Sequence, residues 1–389
     1  LTLALRFPIL PKHVYERYTP DRLNRSTGLA VGSGPYRLRR GALENEWSPG
    51  GAQGIVLVRN ENYWRGVPSF DSMRFRVLTD ASARLTALRN GEADVIQPTS
   101  RQFESVREDP SFEGDALAWR TYSTGYTYIA WQCGRRGGAG GALTPFADAR
   151  VRRAMTMLLD RRRILRDFYG GRGRVSTGPF PSVTAQSDPS VVPVPFDPEG
   201  ARALLEEAGW RDRDGDGTRE DPEGRPFVFE FTYPRGASTS PKIARYLKDQ
   251  CARVGIRMEQ RVLDFSVFLE ARRTGDFDAL SLAQGIGFPE TDPYPQWHSE
   301  SIDGGGNFVR WSNARADELI ERGRRTLDRD ARTEIWRELH RVLHGAQPFT
   351  FLVDRAQLRL VSERMEGVRA SVTGLNLRGA WIETSGAER

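Results

Sequence analysis

The residues whose spacing most resembles a chemical site are Asp212, Asp214 and Asp216, with Gly217 sixth and Glu223 twelfth in the same loop. Carboxylates at positions 1, 3, 5 and 12 around a glycine converge on one point, which is what a calcium loop requires. Two details oppose that reading. Position 8 is Arg219 rather than an apolar residue, and Pro222 precedes Glu223. The flanks read as a helix end and a strand, not two helices, so the segment is expected to be an acidic turn held by Asx hydrogen bonds. The histidines are His13, His298, His340 and His344. His340 and His344 have the i,i+4 spacing that can bind zinc, but no His-Glu-x-x-His pattern surrounds them. Beside Arg341, near a helix C-terminus, they read as dipole-favoured surface residues. No Gly-x-Ser-x-Gly elbow, P-loop or dinucleotide fingerprint occurs in a strand-turn-helix setting. Gly32-Ser33-Gly34-Pro35 is followed by a strand-like Tyr36-Arg37-Leu38, not by a helix. The expectation is a protein that is not an enzyme and carries no metal or cofactor.

Aromatic residues in glycine-rich, weakly charged stretches are better candidates for binding. One stretch is Gly125-Tyr126-Thr127-Tyr128-Ile129-Ala130-Trp131, and another runs from Gln284 to Pro293. Glycine leaves backbone groups open to a ligand, and aromatic rings supply apolar walls. The candidate ligand-binding residues are therefore Tyr128, Trp131, Gln284, Gly285, Ile286, Gly287, Phe288 and Glu290. Backbone groups of 285–287 would hydrogen-bond an extended ligand, Tyr128, Trp131 and Phe288 would wall it, and Glu290 would meet a cationic end. Asp292 reads as a cap for the turn that follows.

The elements that must position these residues alternate along the chain. Ile55 to Val58 is a short apolar run, and Met73, Phe75 and Val77 alternate with Arg74 and Arg76, as strands do. Asp80 caps a helix that stops at Gly91, and Asp94-Val95-Ile96 resumes as strand. A helix is expected over about 148–168. Asp197-Pro198 opens the best-marked helix, with Ala201, Leu204, Leu205 and Ala208 as its apolar face and Gly209 past its end. Phe227, Phe229, Phe231 and Tyr233 alternate as a strand, and a helix follows over 241–254. Helices over about 313–327 and 329–344 precede a strand from Phe349 to Val353. Residues 134–141 and 170–196 read as a flexible loop and a long Pro/Ser-rich surface connection. Strands alternating with helices indicate α/β architecture with mixed sheets in two lobes.

Composition narrows the class further. At about 150 residues per domain, 389 residues predict two to three domains. No apolar run approaches the ~20 residues of a membrane helix. The net charge of +6 comes from 57 basic residues, of which only Lys12, Lys242 and Lys248 are lysine. Arginine spread along the whole chain among 51 acids does not make the one-sided stripe that nucleic acid selects. Arg161 to Arg163 and Arg322 to Arg325 read as solvated helix faces. Cys133 and Cys251 fit neither a zinc site nor a disulfide framework, and could pair or stay as buried thiols. The chain starts at Leu1, which reads as a processing point or a truncation.

The order of segments resembles the family 5 extracytoplasmic solute-binding proteins of ABC importers, the dipeptide, oligopeptide and nickel receptors. Pro8-Ile9-Leu10-Pro11-Lys12-His13 is similar to one family segment. Gly32-Ser33-Gly34-Pro35-Tyr36 followed by Val58-Arg59-Asn60-Glu61-Asn62-Tyr63-Trp64 is similar to the most recognisable one. Asp80 to Arg84, Gly91 to Val95, Val151 to Ala154 with Asp160-Arg161, Asp197-Pro198 to Trp210, Asp292-Pro293 and Asn307 to Ile320 continue the resemblance in the family's order. It implies a class II, cluster C type periplasmic-binding-protein-like fold whose two lobes close on a ligand. One lobe would hold 1–128 with a C-terminal return at 350–389, and the other 129–349, with the hinge near Tyr128 to Trp131.

The same resemblance implies a monomer outside the cytoplasm, periplasmic or lipid-anchored, that captures a peptide-like solute and delivers it to a membrane permease. No nucleic acid is expected as a partner. Family members carry a further N-terminal portion with the export signal, so this chain is expected to be a fragment or a reduced form. Peptide-binding members also place an Asp three residues before the Asp-Pro step, where it pairs with a peptide's α-ammonium. Here that position is Pro289, with Glu290 the nearest acid. The alternative function is the ligand-sensing domain of a transcription regulator, which shares this fold.

Overall fold

The computed structural model describes residues 11–19, 31–38, 54–109, 116–285, 290–371, 374–377 and 379–382. They belong to two compact units, Leu1–Thr121 with Leu358–Arg389, and Tyr122–Gln357.

In the smaller unit, β1 (Tyr36–Leu38), β2 (Gly54–Arg59) and β3 (Ser72–Arg76) form an antiparallel sheet in that order. Leu57 of β2 stands opposite Met73 on one side and Leu38 on the other, so apolar residues share a face. The helix Ala81–Arg89 starts where expected: the Asp80 carboxylate accepts from the Ala83 amide at 2.7 Å. After β4 (Val95–Ile96), a helix over Ser100–Glu108 opens with a capping box between Thr99 and Gln102. Its Phe103 and Val106 pack with Leu88, Ile96, Leu358 and Leu360 in this unit's core.

The larger unit holds most of β5 (Ala116–Trp131), then β6 (Gly173–Val175), β7 (Val228–Pro234), β8 (Arg257–Leu263), β9 (Ala279–Gly285) and the start of β10 (Phe349–Ser362). Its strands lie in the order β10-β5-β9-β7-β8, with β6 on β10. β7 is parallel to β8 and β9, while β5 and β9 are antiparallel. The helix Ser240–Ala252 makes the crossover that parallel β7 and β8 need. Successive side chains of β5 enter different cores, as the two-residue period of a strand requires. Ile129 and Trp131 join one with Phe146, Phe229 and Leu247, while Tyr126, Tyr128 and Ala130 join another with Phe349, Trp297 and Trp336.

The units divide at 121/122 and 357/358, where the sequence suggested 128/129 and 349/350. No turn marks either point because β5 and β10 run through them as continuous strands. The single helix expected over 148–168 is two, Ala149–Met157 and Arg161–Tyr169. The Asp160 carboxylate accepts from the Arg163 amide at 2.9 Å and starts the second.

Arg161 is not part of a solvated face. It is 3% exposed and donates to the carbonyls of Val194, Phe351 and Ser176. Burial without a carboxylate lowers its pKa to about 10. Arg322 to Arg325 do stay near solvent: Arg322, Arg324 and Arg325 pair with acids of their own or neighbouring elements. The 170–196 connection also departs from a surface loop, because Phe180, Gln186, Asp188 and Val194 are buried.

Candidate functional site

The candidate stretch begins at the end of β9, which is held against β5 by close backbone approach. Gly125 stands opposite Gly285, and a Cβ on Gly125 would lie 2.2 Å from the Gln284 carbonyl oxygen, so glycine is required there. Gly285 is the reverse case: it is exposed, and a Cβ on it would meet nothing within 4 Å among the described residues. Among the described residues β9 pairs with β7 only at Ala279 and Leu280, so 281–285 have a strand on one side alone. Gln284 is fixed by a reciprocal amide pair with Gln296, at 2.7 and 3.2 Å. Ile286, Gly287 and Phe288 lie outside the described residues.

The chain resumes at Glu290, and the expected free carboxylate is not there. Both oxygens of Glu290 accept from Arg332, at 2.7 and 2.9 Å, and one also accepts from Trp336 Nε1 at 2.6 Å. Burial raises the Glu290 pKa, but hydrogen bonds from Arg332 and Trp336 outweigh it and hold the carboxyl below its usual range. Both donors project from the helix Arg329–Ala346. Gly323 lets that helix close on its neighbour, since a Cβ there would lie 2.3 Å from the Trp336 ring. Thr291 and Gln186 exchange backbone and amide hydrogen bonds at 2.7 and 2.8 Å. Asp292 caps the following turn through the Tyr294 amide, as the sequence implied, and also pairs with Arg324 at 3.3 Å.

Tyr128 and Trp131 do not wall an accessible site. Both are fully enclosed, because they lie on the two faces of a strand covered on both sides. Tyr128 stacks on Phe349 with centroids 4.3 Å apart, and burial raises its phenol to about 12 against the pull of Arg272. Trp131 packs on Phe146 at 4.6 Å and donates its Nε1 hydrogen to Thr350 Oγ1 at 3.0 Å. The sequence reading gave these rings a binding role, but a strand in an apolar environment assigns aromatics to the core first.

His340 is a core residue and His344 is half-buried, contrary to the surface reading of this pair. His340 is 0% exposed. Its Nδ1 accepts from the Asp188 amide at 2.9 Å, so the neutral ring carries its proton on Nε2, 3.1 Å from Thr177 Oγ1. Burial lowers its pKa to about 4 and also lowers that of His344, which bonds the Thr177 carbonyl at 2.8 Å. Together with the Arg341–Asp188 pair they anchor the 177–188 segment, whose Gln186 holds Thr291. Sequence reasoning missed this support because its partners lie more than 100 residues apart.

The acidic turn takes the expected Asx form. Asp212 accepts from the amides of Gly215 and Gly217, Asp214 from Asp216, and Asp216 from Thr218. The carboxylates of Asp212, Asp214, Asp216 and buried Glu220 come within 4.8 Å of one another, an oxygen set suited to a hard cation. Glu223 is turned to Arg225 instead. Cys133 and Cys251 are unpaired thiols, and burial raises both, Cys133 to about 11. Asp354 was not anticipated: it is 1% exposed, one oxygen accepts from the Ser182 amide at 2.8 Å, and the other meets no hydrogen bond of normal geometry among the described residues.

Residues 3–305 match the family model described as bacterial extracellular solute-binding proteins, family 5 Middle. The chain belongs to that family. The oligopeptide-binding protein AppA of Bacillus subtilis (strain 168) is 27% identical over 372 residues, covering 93% of this chain and 64% of AppA. A solved structure of AppA from Bacillus subtilis in complex with a nonapeptide superposes with a TM-score of 0.75 at 25% identity, covering 97% of this chain and 72% of the other. Di/tripeptide-binding protein 2 of Pseudomonas aeruginosa (strain UCBPP-PA14) is 24% identical over 355 residues, 90% of this chain and 60% of its own. The chain thus spans about three-fifths of the length of these curated relatives. Its mixed α/β fold in two units is that of the two-lobed periplasmic binding proteins. Among the described residues no helix is long and apolar enough to cross a membrane. The named relatives are binding proteins and lend no support to the regulator alternative.

Proposed function

We propose that this protein is the solute-binding component of an ABC importer and that its solute is peptide-like. The observation that carries the reading is the end of β9. Among the described residues, 281–285 have a strand on one side only, Ala283 and Gly285 are exposed, and a Cβ on Gly285 meets no atom within 4 Å. An extended peptide pairs with such an edge through main-chain hydrogen bonds, which fix its backbone whatever its sequence. The family match and the names of the peptide-binding relatives point to the same solute class.

In this reading Gln284 and Gly285 contact the solute, and Glu290 positions the segment through Arg332 and Trp336. The protein works as a monomer outside the cytoplasm, in the periplasm or held at the cell surface by a lipid, and hands its solute to a membrane permease. It performs no turnover, and neither a cofactor nor nucleic acid takes part. Gly285→Trp tests the placement. Its side chain enters open space, so the variant folds normally, and peptide affinity measured by titration calorimetry falls at least tenfold. Unchanged affinity in a folded Gly285→Trp protein removes β9 from the site.

A further inference from the structure

One cation near the open end of β9 is left without an acid, and it bears on which peptides the protein takes, an inference that rests on the proposed peptide-binding function. Arg355 lies on β10 within the larger unit, is exposed, and makes no hydrogen bond or ion pair among the described residues. The carboxylate next to it in the chain, Asp354, accepts from the Ser182 amide, and the cation whose field reaches that carboxylate is Arg174.

Strand geometry directs Arg355 toward β9. β5 lies between β10 and β9. The Trp131 amide of β5 donates to the Pro348 carbonyl, and the Thr127 hydroxyl donates to that of Val353 at 3.3 Å, so β5 and β10 run in opposite directions. Two residues further along each strand come Gly125 and Arg355, and Gly125 stands opposite Gly285. Arg355 works on the face that carries Thr127: its field reaches the Tyr169 phenol, which donates to Thr127 Oγ1 at 3.3 Å. Thr127 in turn stands opposite the exposed Ala283. That face therefore presents hydroxyls, two glycines and an alanine beside a single guanidinium.

At about 4.8 Å per strand, a solute paired with the open edge of β9 lies about 14 Å from the β10 backbone. An extended arginine covers about half of that and a charge-assisted hydrogen bond about 3 Å more. A short acidic arm on the solute closes the remainder, and Gly125 and Gly285 put no side chain in its way. We propose that Arg355 is a specificity-determining residue that selects solutes by a carboxylate folded back over Gly125 and Gly285. The carboxylate belongs to an acidic side chain or to the peptide's carboxyl end, and the guanidinium fork accepts either.

The test is a competition among three pools of random nonapeptides offered together to the purified protein, with retained peptides quantified by mass spectrometry. The first pool lacks Asp and Glu and is amidated at its carboxyl end. The second lacks Asp and Glu but keeps the free carboxylate, and the third contains Asp and Glu but is amidated. The expected result is that the second or the third is retained about fivefold or more over the first, and which of them leads identifies the source of the carboxylate. In Arg355→Gln, an exposed substitution that breaks no bond of the fold, this preference should drop below about twofold, and Arg355→Lys should keep part of it. Equal retention of the three pools by the natural protein, or a preference that survives in folded Arg355→Gln, overturns the role of Arg355 and leaves peptide binding intact. A folded protein that retains no pool overturns peptide binding and this inference with it. Should Arg355→Gln fail to fold, an Arg355→Lys protein that holds the preference supports the role, and one that folds and loses it while binding all pools equally overturns selection by charge.

Discussion

His340 offers a quantitative check on how the candidate segment is supported. The imidazole is fully buried and neutral, with Nδ1 on the Asp188 amide and Nε2 on Thr177. Phe180 meets the ring edge-on, and His344 and Arg341 add positive charge nearby, opposed by Asp188. The folded pKa of about 4 lies below the ordinary 6.5, so folding favours the neutral ring. This contribution is complete above pH 6.5 and is lost as pH falls from there through about 4. At about 1.4 kcal/mol per pH unit, the gap corresponds to about 3 kcal/mol. Urea unfolding of the natural protein and of His340→Asn at pH 7, 6, 5 and 4 isolates it, because contributions from other groups largely cancel in the difference. Asn keeps an acceptor for the Asp188 amide, so the variant is less stable at pH 7 through lost packing but loses less on acidification. The stability difference should narrow by about 3 kcal/mol between pH 7 and pH 4. A difference that stays constant, or a His340 resonance titrating near 6.5, would refute the reasoning.

Other expectations follow from equally local geometry. Gly125→Ala drives a methyl into the Gln284 carbonyl and should destabilise the protein by about 1–3 kcal/mol in urea unfolding, the usual cost of overpacking. Asp354 has its pKa raised, chiefly by burial, so its folded state holds the proton more tightly and stability falls as pH rises from about 3.8 through the folded value. Asp354→Asn should therefore stabilise the protein at pH 7, with no gain at pH 3; a loss at pH 7 contradicts this. Neither Cys133 nor Cys251 should react with a thiol reagent at pH 8 until the protein is unfolded in urea.

What the sequence made legible was local. Asp80 and Asp197 cap helices where their positions implied, each accepting an amide three residues on. Those contacts need only short-range geometry, which residue type and spacing encode. The break at Asp160 was hidden because Leu158 and Leu159 continue the apolar period across it, although Asp160 carries its own cap signal. In the candidate site, Gly285 and Gln284 could be named from composition, but the state of Glu290 could not. Its partners Arg332 and Trp336 lie 42 and 46 residues away and meet it only once the helix Arg329–Ala346 is docked. For Tyr128 and Trp131 the signal for binding and the signal for core are the same aromatic alternation. Only the second layer packed over the strand separates them. Arg161 and His340 share that difficulty, since a polar residue that is to be buried shows no sign of its distant partners.

The most direct measurement is titration calorimetry of the purified protein with two pools of random-sequence nonapeptides, one with free and one with N-acetylated amino ends, set beside a nickel–histidine chelate. The account predicts saturable binding of peptide at one site per chain, with a dissociation constant of about 1 μM or tighter, near −8 kcal/mol. A folded protein that gives no saturable heat with either pool, yet saturates with the chelate, would contradict it.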